Sequence, residues 1–192
     1  MRVRVAGAVV ALVLGFGAVG CDSSGGSGGG SGRQVVALDR AKARLQDLVD
    51  GTTAALTPAV RYADDAYRAV PHEGGLSRDD DGTAQLTLRR YVLTKVGPAK
   101  QARLLEQVRA YWKGRGYTLH DEASTTDAGA ETPDGAGVRV SIGVPGNVTV
   151  VADAWVQDPG RTQPFGPAPS PLPTGPDGGL DTMPHVEDPA WS

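Results

Sequence analysis

From Val35 onward, apolar residues recur at steps of three and four: Leu38, Ala41, Leu45, Leu48, Val49 and Leu56 follow, with arginine, lysine and aspartate between them. This spacing places one apolar stripe on a helix and predicts an amphipathic helix across residues 34–56. Gly51 can end or weaken that helix, and Pro58 limits it. A polar, irregular stretch follows, in which Tyr62, Tyr67 and Val70 form a short strand or pack over the core. At Thr83 the period changes to two. Ala84, Leu86, Leu88 and Val92 alternate with polar residues in a threonine- and valine-rich run that reads as a long strand to Val96. Gly97-Pro98 breaks the strand and opens a second helix, with proline suited to the first turn. Its stripe is Leu104, Leu105, Val108, Tyr111 and Trp112, and Gly116 is placed to cap its end.

A strand resumes at residues 117–122, and an acidic, threonine-rich loop reaches Gly137. Val138, Val140, Ile142 and Val144 then alternate with Arg139, Ser141 and Gly143. A second valine-rich run spans 148–156, and Pro145-Gly146-Asn147 forms the turn between the two strands of this hairpin, one face of which is expected to be buried. The expected fold is α+β: an antiparallel sheet of about four strands covered on one face by two helices, within residues 34–157. Residues 158–192 hold nine of the fourteen prolines and no periodic apolar pattern, so a disordered or polyproline II tail is expected.

The N-terminal segment has a different character. Arg2 and Arg4 precede an uncharged apolar run from Val5 to Val19, and small residues flank its end, the order found in a secretory signal peptide. Fifteen helical residues would span roughly 22 Å, short of the ~30 Å hydrocarbon core, which disfavours a permanent span. Ala18-Val19-Gly20-Cys21 resembles the bacterial lipobox. The resemblance implies a signal peptide over residues 1–20, a diacylglycerol on the Cys21 thiol, and Cys21 as the new amino terminus. Two acyl chains at about 0.8 kcal/mol per buried methylene suffice for stable anchoring. Cys21 is the one cysteine, so no internal disulfide is expected. Residues 22–32 are glycine and serine except Asp22, a flexible tether with a reach of about 20 Å. The expected location is therefore the cell membrane, on its extracytoplasmic face.

Charge narrows the partners. The formal net charge is −3, and loss of residues 1–20 leaves 17 basic against 22 acidic groups, a balance with no electrostatic reason to seek nucleic acid. The predominance of arginine over lysine, with abundant alanine, glycine and valine, is the bias of a GC-rich bacterial genome. Trp112-x-x-x-Gly116-Tyr117, closing a helix and entering a strand, followed by Thr132-x-Asp134-Gly135 and a hairpin, resembles small actinomycete lipoproteins of streptomycete and mycobacterial type. These proteins have no assigned reaction, and several carry a cysteine pair that this chain lacks. In that pattern Trp112 anchors the helix, Gly116 caps it and Asp134-Gly135 turns.

Candidate chemistry is sparse. Ser77, Asp79, Asp81 and Gly82 match the start of a calcium loop. Leu88 stands where a bidentate glutamate is needed, however, and a strand follows in place of a helix, so a solvated acidic turn is the reading. His72, His120 and His185 are scattered and lack metal-ligand spacing, so neither a metal nor a cofactor is expected. Ser77, Ser124 and Ser141 do not sit in a nucleophile elbow. Arg89, Arg90 and Lys95 read as solvated charges, with Arg89 and Arg90 on opposite faces. The prolines from Pro164 to Pro173 include a P-x-x-P spacing that reads mainly as a spacer. Asn147-Val148-Thr149 matches a glycosylation sequon, a pattern of little weight in a bacterial lipoprotein. No catalytic residues are assigned and the chain reads as non-enzymatic: a membrane-anchored binding or scaffolding module for an envelope protein or wall polymer. The alternative is an envelope hydrolase using carboxylates such as Asp64 and Asp65; Asp121 and Glu122 form another adjacent pair.

Overall fold

The computed structural model describes residues 34–74, 79–144, 146–160, 165 and 167–192. The signal peptide, Cys21, the glycine-serine tether and Ser77 lie outside the described residues. The elements in chain order are β1 (Val35–Val36), α1 (Leu38–Ala54), β2 (Tyr62–Asp64), β3 (Arg68–Gly74) and β4 (Asp79–Val92). They continue with α2 (Pro98–Gly114), β5 (Thr118–His120), β6 (Asp127–Glu131), β7 (Gly137–Ile142) and β8 (Val148–Gln157). The class is α+β with two helices, as the periodicities predict.

The sheet has eight strands, not about four. Its order is β2-β4-β8-β7-β6-β5, with β3 also paired to β4 and β1 to β8. All pairs are antiparallel except β1 with β8. Two of the predicted strands, β4 and β8, lie side by side at the centre in one register from Thr83↔Gln157 to Val92↔Val148. The unpredicted strands have weak local signals and are formed by their neighbours. β3 contains Pro71, which is tolerated because β3 pairs only with β4. β6 is Asp-Ala-Gly-Ala-Glu, and its Ala128 and Ala130 are buried on the side where α2 packs, where larger side chains would hold the helix off. β1 takes Val35 and Val36 out of the predicted helix: β7 stops opposite Asp153, and β1 pairs with Trp155 and Val156 beyond that point.

Even-numbered residues of β4 and β8 point toward the helices. Ala84, Leu86, Leu88 and Val92 meet Val148, Val150, Ala152, Ala154 and Val156, and the stripes of both helices close over them in one core. Gly51 does not end α1; a Cβ there would sit 2.1 Å from the Tyr111 hydroxyl, so the missing side chain makes room for α2. Beside it, Thr52 Oγ1 accepts a 2.9 Å hydrogen bond from Trp112 Nε1, so Trp112 anchors α2 to α1 as well as to the core. Gly116 and Gly135 adopt φ of +74° and +77°, the left-handed conformation that their cap and turn positions require.

The described part of the C-terminal segment, for which a disordered or polyproline II tail is expected, runs through turns and isolated bridges and packs against the domain. Ser170 carbonyl accepts from the Asp64 amide, and Pro171 bridges to Asp64 along the outer edge of β2. Val186 carbonyl accepts from Lys95, and Trp191 is fully buried, donating from Nε1 to the Pro58 carbonyl at 3.0 Å. Gly97 permits this seat, because a Cβ there would lie 2.9 Å from the Ser192 carbonyl carbon. Local composition predicts no packing for this segment; two aromatic residues far apart in it, Phe165 and Trp191, supply the buried surface. Truncating a buried tryptophan costs about 3–5 kcal/mol. Trp191→Ala is therefore expected to lower unfolding free energy by about 3 kcal/mol or more in a denaturant titration. A change within about 0.5 kcal/mol, the usual range for surface substitutions, would mean that the tail does not pack.

Candidate functional site

Two constellations of polar side chains result from this register, one under the helices and one on the opposite face of the sheet. Under α1, the alternation of β4 that buries Leu86 and Leu88 also buries Arg90, which is fully inaccessible. This corrects its reading as a solvated charge, whereas Arg89 on the other face is exposed. Arg90 donates from Nε to Asp64 Oδ1 at 2.6 Å and from Nη2 to Asp64 Oδ2 at 3.0 Å, a two-pronged pairing. Nη1 donates to Thr53 Oγ1 at 2.8 Å, and Nη2 also reaches Asp50 Oδ1 at 2.7 Å. The Tyr62 ring centroid lies 3.7 Å from the guanidinium carbon. Burial works against the charge, but the hydrogen bonds and negative charges of Asp64 and Asp50 outweigh it and hold the Arg90 pKa above the ordinary arginine value. Asp64, one of the two carboxylates of the hydrolase alternative, is thus the counter-ion of a buried cation. Asp65 is held by Arg68 at 3.3 Å and accepts from the Ala66 amide.

The face away from the helices is built from the odd-numbered residues of β1, β4, β6, β7 and β8 and the even-numbered residues of β3 and β5. One row across it reads Val70, Gln85, Trp155, Val35; the next reads Arg68, Thr87, Asp153, Gly137, Glu131; a third reads Arg89, Val151, Arg139, Gly129, His120. Val70 is 60% exposed and Val35 43%, on either side of half-buried Gln85 and Trp155. The His72 ring meets Trp155 edge-on at 5.2 Å between centroids, and its Nδ1 lies 2.8 Å from Asp81 Oδ2. Asp153 accepts a 3.0 Å hydrogen bond from Gln85 Nε2. A Cβ on Gly137 would stand 2.6 Å from Asp153 Oδ1, so the carboxyl lies over the space that glycine leaves. Burial raises the Asp153 pKa and Glu131 adds to the shift, while the Gln85 hydrogen bond and Arg139 partly oppose it. Arg139 in turn pairs with Asp121 at 3.4 Å.

The remaining candidates are dispersed. Asp79, Asp81 and Leu88 lie along β4, so the calcium-like run is strand and not the expected acidic turn; Asp81 Oδ1 accepts from Thr83. His120 is exposed on β5, and His185 sits 3.1 Å from Asp181. Ser124 Oγ accepts from the Asp127 amide, and Ser141 Oγ donates to Asp127 at 2.8 Å. Asn147 donates to the Met183 sulfur at 3.5 Å. Among the described residues no group of three or more His, Cys, Asp or Glu is placed to hold a metal ion.

Two cavities lie among the described residues. One of about 380 Å³ lies where residues 95–98 meet the tail at Met183 and Pro184. The other, about 240 Å³, lies between α1 and the Thr132–Ala136 turn and is lined by Arg40, Arg44, Asp47 and Asp134. Sequence reasoning found the turn at Asp134-Gly135 but not the cavity. Helical spacing puts Arg40, Arg44 and Asp47 on one face, yet nothing local shows what that face meets. Comparison with protein-family models, with curated proteins and with solved structures returns no match.

Removing one partner of a buried ion pair costs about 3–5 kcal/mol, because the other charge is left without compensation. Arg90→Met should lose stability on that scale, and adding Asp64→Leu should recover at least half of the loss; an additive loss in the double variant would show that the pair is not coupled. Asp153 gives the opposite kind of signal. A carboxyl whose pKa is raised by folding stabilises most when protonated, and that contribution is lost as pH rises through its folded value. Asp153→Asn should therefore exceed the parent protein in denaturation midpoint near neutral pH, with the gap closing as pH falls through the raised folded value and gone below the ordinary 3.8. A gap that widens on acidification would contradict the assignment.

Proposed function

We propose that the chain is a lipid-anchored binding or scaffolding module of the bacterial cell envelope, related to the small actinomycete lipoproteins that its Trp112–Tyr117 and Thr132–Gly135 segments resemble. The observation that carries the binding reading is the face of the sheet that no described helix covers. There Val70 and Val35 stand exposed around Trp155, in a surface otherwise made of Gln85, Thr87, Arg89 and Arg139. Apolar and aromatic groups within a polar rim are the composition of a contact surface. The role is non-catalytic in this reading: Asp64 neutralises Arg90, and Asp65 is engaged by Arg68. The partner classes are an envelope protein or a wall polymer.

Location rests on Cys21 and the apolar run before it. Among the described residues no helix is long and apolar enough to cross a membrane, so in this reading the diacylglycerol on Cys21 holds the domain at the extracytoplasmic face through the glycine-serine tether.

Two measurements test the proposal. Mass spectrometry of the processed protein should find a diacylated Cys21 at the amino terminus, and Cys21→Ala should move the protein from the membrane to the soluble fraction. A terminus beyond residue 21, or unchanged sedimentation of the variant, would remove the anchor. A photo-crosslinker placed at Val70 should capture an envelope component that the same probe at exposed Glu106 on α2 does not. Equal capture from both positions would remove the open face as the contact surface.

A further inference from the structure

The smaller cavity is separate from the open face, because Val36 and Ala154 in its wall belong to the helix-facing side of the sheet. Arg40, Arg44 and Asp47 fall four and three residues apart on α1, so they form one ridge along the cavity. Opposite them, Asp134 is held by its turn. Thr132 Oγ1 donates to it, the Gly135 amide donates to the Thr132 carbonyl at 2.9 Å, and the Ala136 amide donates to Thr132 Oγ1 at 3.0 Å. Arg44 Nη2 donates to Asp134 Oδ1 at 2.7 Å. Although burial opposes ionisation, these two hydrogen bonds and the Arg44 charge keep the Asp134 pKa below the ordinary aspartate value. Asp134 is therefore a satisfied anion and not a receptor for a further cation.

The cations of the cavity are not satisfied in the same way. Arg44 has five donors, and its described side-chain hydrogen bond uses Nη2 alone; Nε is buried with no acceptor. A buried donor left unpaired is destabilising, which favours any rearrangement that brings an acceptor to this guanidinium. Arg40, one helical turn away, makes no ion pair among the described residues. Asp47 is also unpaired, but it lies about 10 Å from Arg40 along the helix axis at 1.5 Å per residue, which biases an anion to the Arg40 end. Val36, Ala43, Ala136 and Ala154 supply an apolar floor. The volume of about 240 Å³ falls below the roughly 300–1,000 Å³ of sites for drug-sized ligands, so the occupant is small.

The geometry points to a binding site for a small carboxylate with a short apolar group, its carboxylate between Arg40 and Arg44 and its carbon chain on Val36, Ala136 and Ala154. Guanidinium groups match a carboxylate with two parallel donors, which an ammonium ligand cannot use.

Amide chemical shifts of the full chain, titrated with butyrate, test the site. Saturable shifts are expected in residues 40–47 and 132–136, with none from butylammonium. Charge-assisted hydrogen bonds contribute about 1.5–3 kcal/mol, so Arg40→Met should weaken butyrate at least about tenfold, while Arg40→Lys loses less. Arg40 is exposed, so these variants leave the fold intact, and the unshifted remainder of the spectrum verifies that. Absence of saturation, equal shifts from butylammonium, or unchanged affinity in Arg40→Met would overturn the proposal. Inorganic phosphate binding as tightly as butyrate would overturn the carboxylate assignment in favour of a general anion site.

Discussion

Burial of the Arg90 guanidinium is the constraint around which one end of the domain is arranged. A lone cation under a helix would be strongly penalised, so its position requires carboxylates and acceptors at fixed distances. Asp64 on β2 provides the two-pronged partner, Asp50 on α1 a second charge, and Thr53 a hydroxyl that passes a hydrogen bond on to the Val49 carbonyl at 2.9 Å. Three elements distant in the chain are thereby held in one geometry. Thr52, the next residue along α1, accepts from Trp112, so neighbouring positions on one helix turn bind both the sheet and α2. The arrangement is directional where the surrounding leucine and valine packing is not.

The same end of the sheet carries its protected edge. β2 is three residues long and would leave backbone groups open beyond β4, a recognised liability of edge strands. The tail removes it by laying Ser170 and Pro171 along Asp64, then crossing to Thr94 and Lys95 and finishing with Trp191 against Pro58 and Gly97. Arg103 on α2 stands 5.8 Å from the Trp191 ring and links this closure to the second helix. Asp64 therefore takes part in the ion pair through its side chain and in the tail contact through its backbone.

The two faces of the sheet have separate roles. The helix side contains the core and, at its margin, the arginine-lined cavity under α1. Among the described residues no helix covers the other side, which carries exposed valines, Trp155, Asp153 and arginines. The raised pKa of Asp153 follows from this placement: the carboxyl is packed over Gly137 and hydrogen-bonded to Gln85, so it is partly dehydrated on a face that is otherwise wet.

What was legible in the sequence had local causes. The period-3.6 stripes of α1 and α2, the period-2 runs of β4, β7 and β8, Pro98 at a helix start and glycine at Gly116 and Gly135 each follow from side-chain geometry within a few residues. The segregation of Arg89 from Arg90 was equally readable, because alternation in a strand assigns faces without knowledge of the partner. Tertiary structure alone decided that Arg90 is a paired cation and not a solvated one, since Asp64 and Asp50 lie 26 and 40 residues away in the chain. It also decided that Asp-Ala-Gly-Ala-Glu is a strand, that Val35 and Val36 leave the helix for β8, and that a proline-rich tail packs. In each case the free energy comes from surface buried against, or backbone bonded to, a distant segment, and such terms have no signature in local pattern. The open face and the cavity under α1 belong to the same class, because a site is set by which side chains the fold brings together.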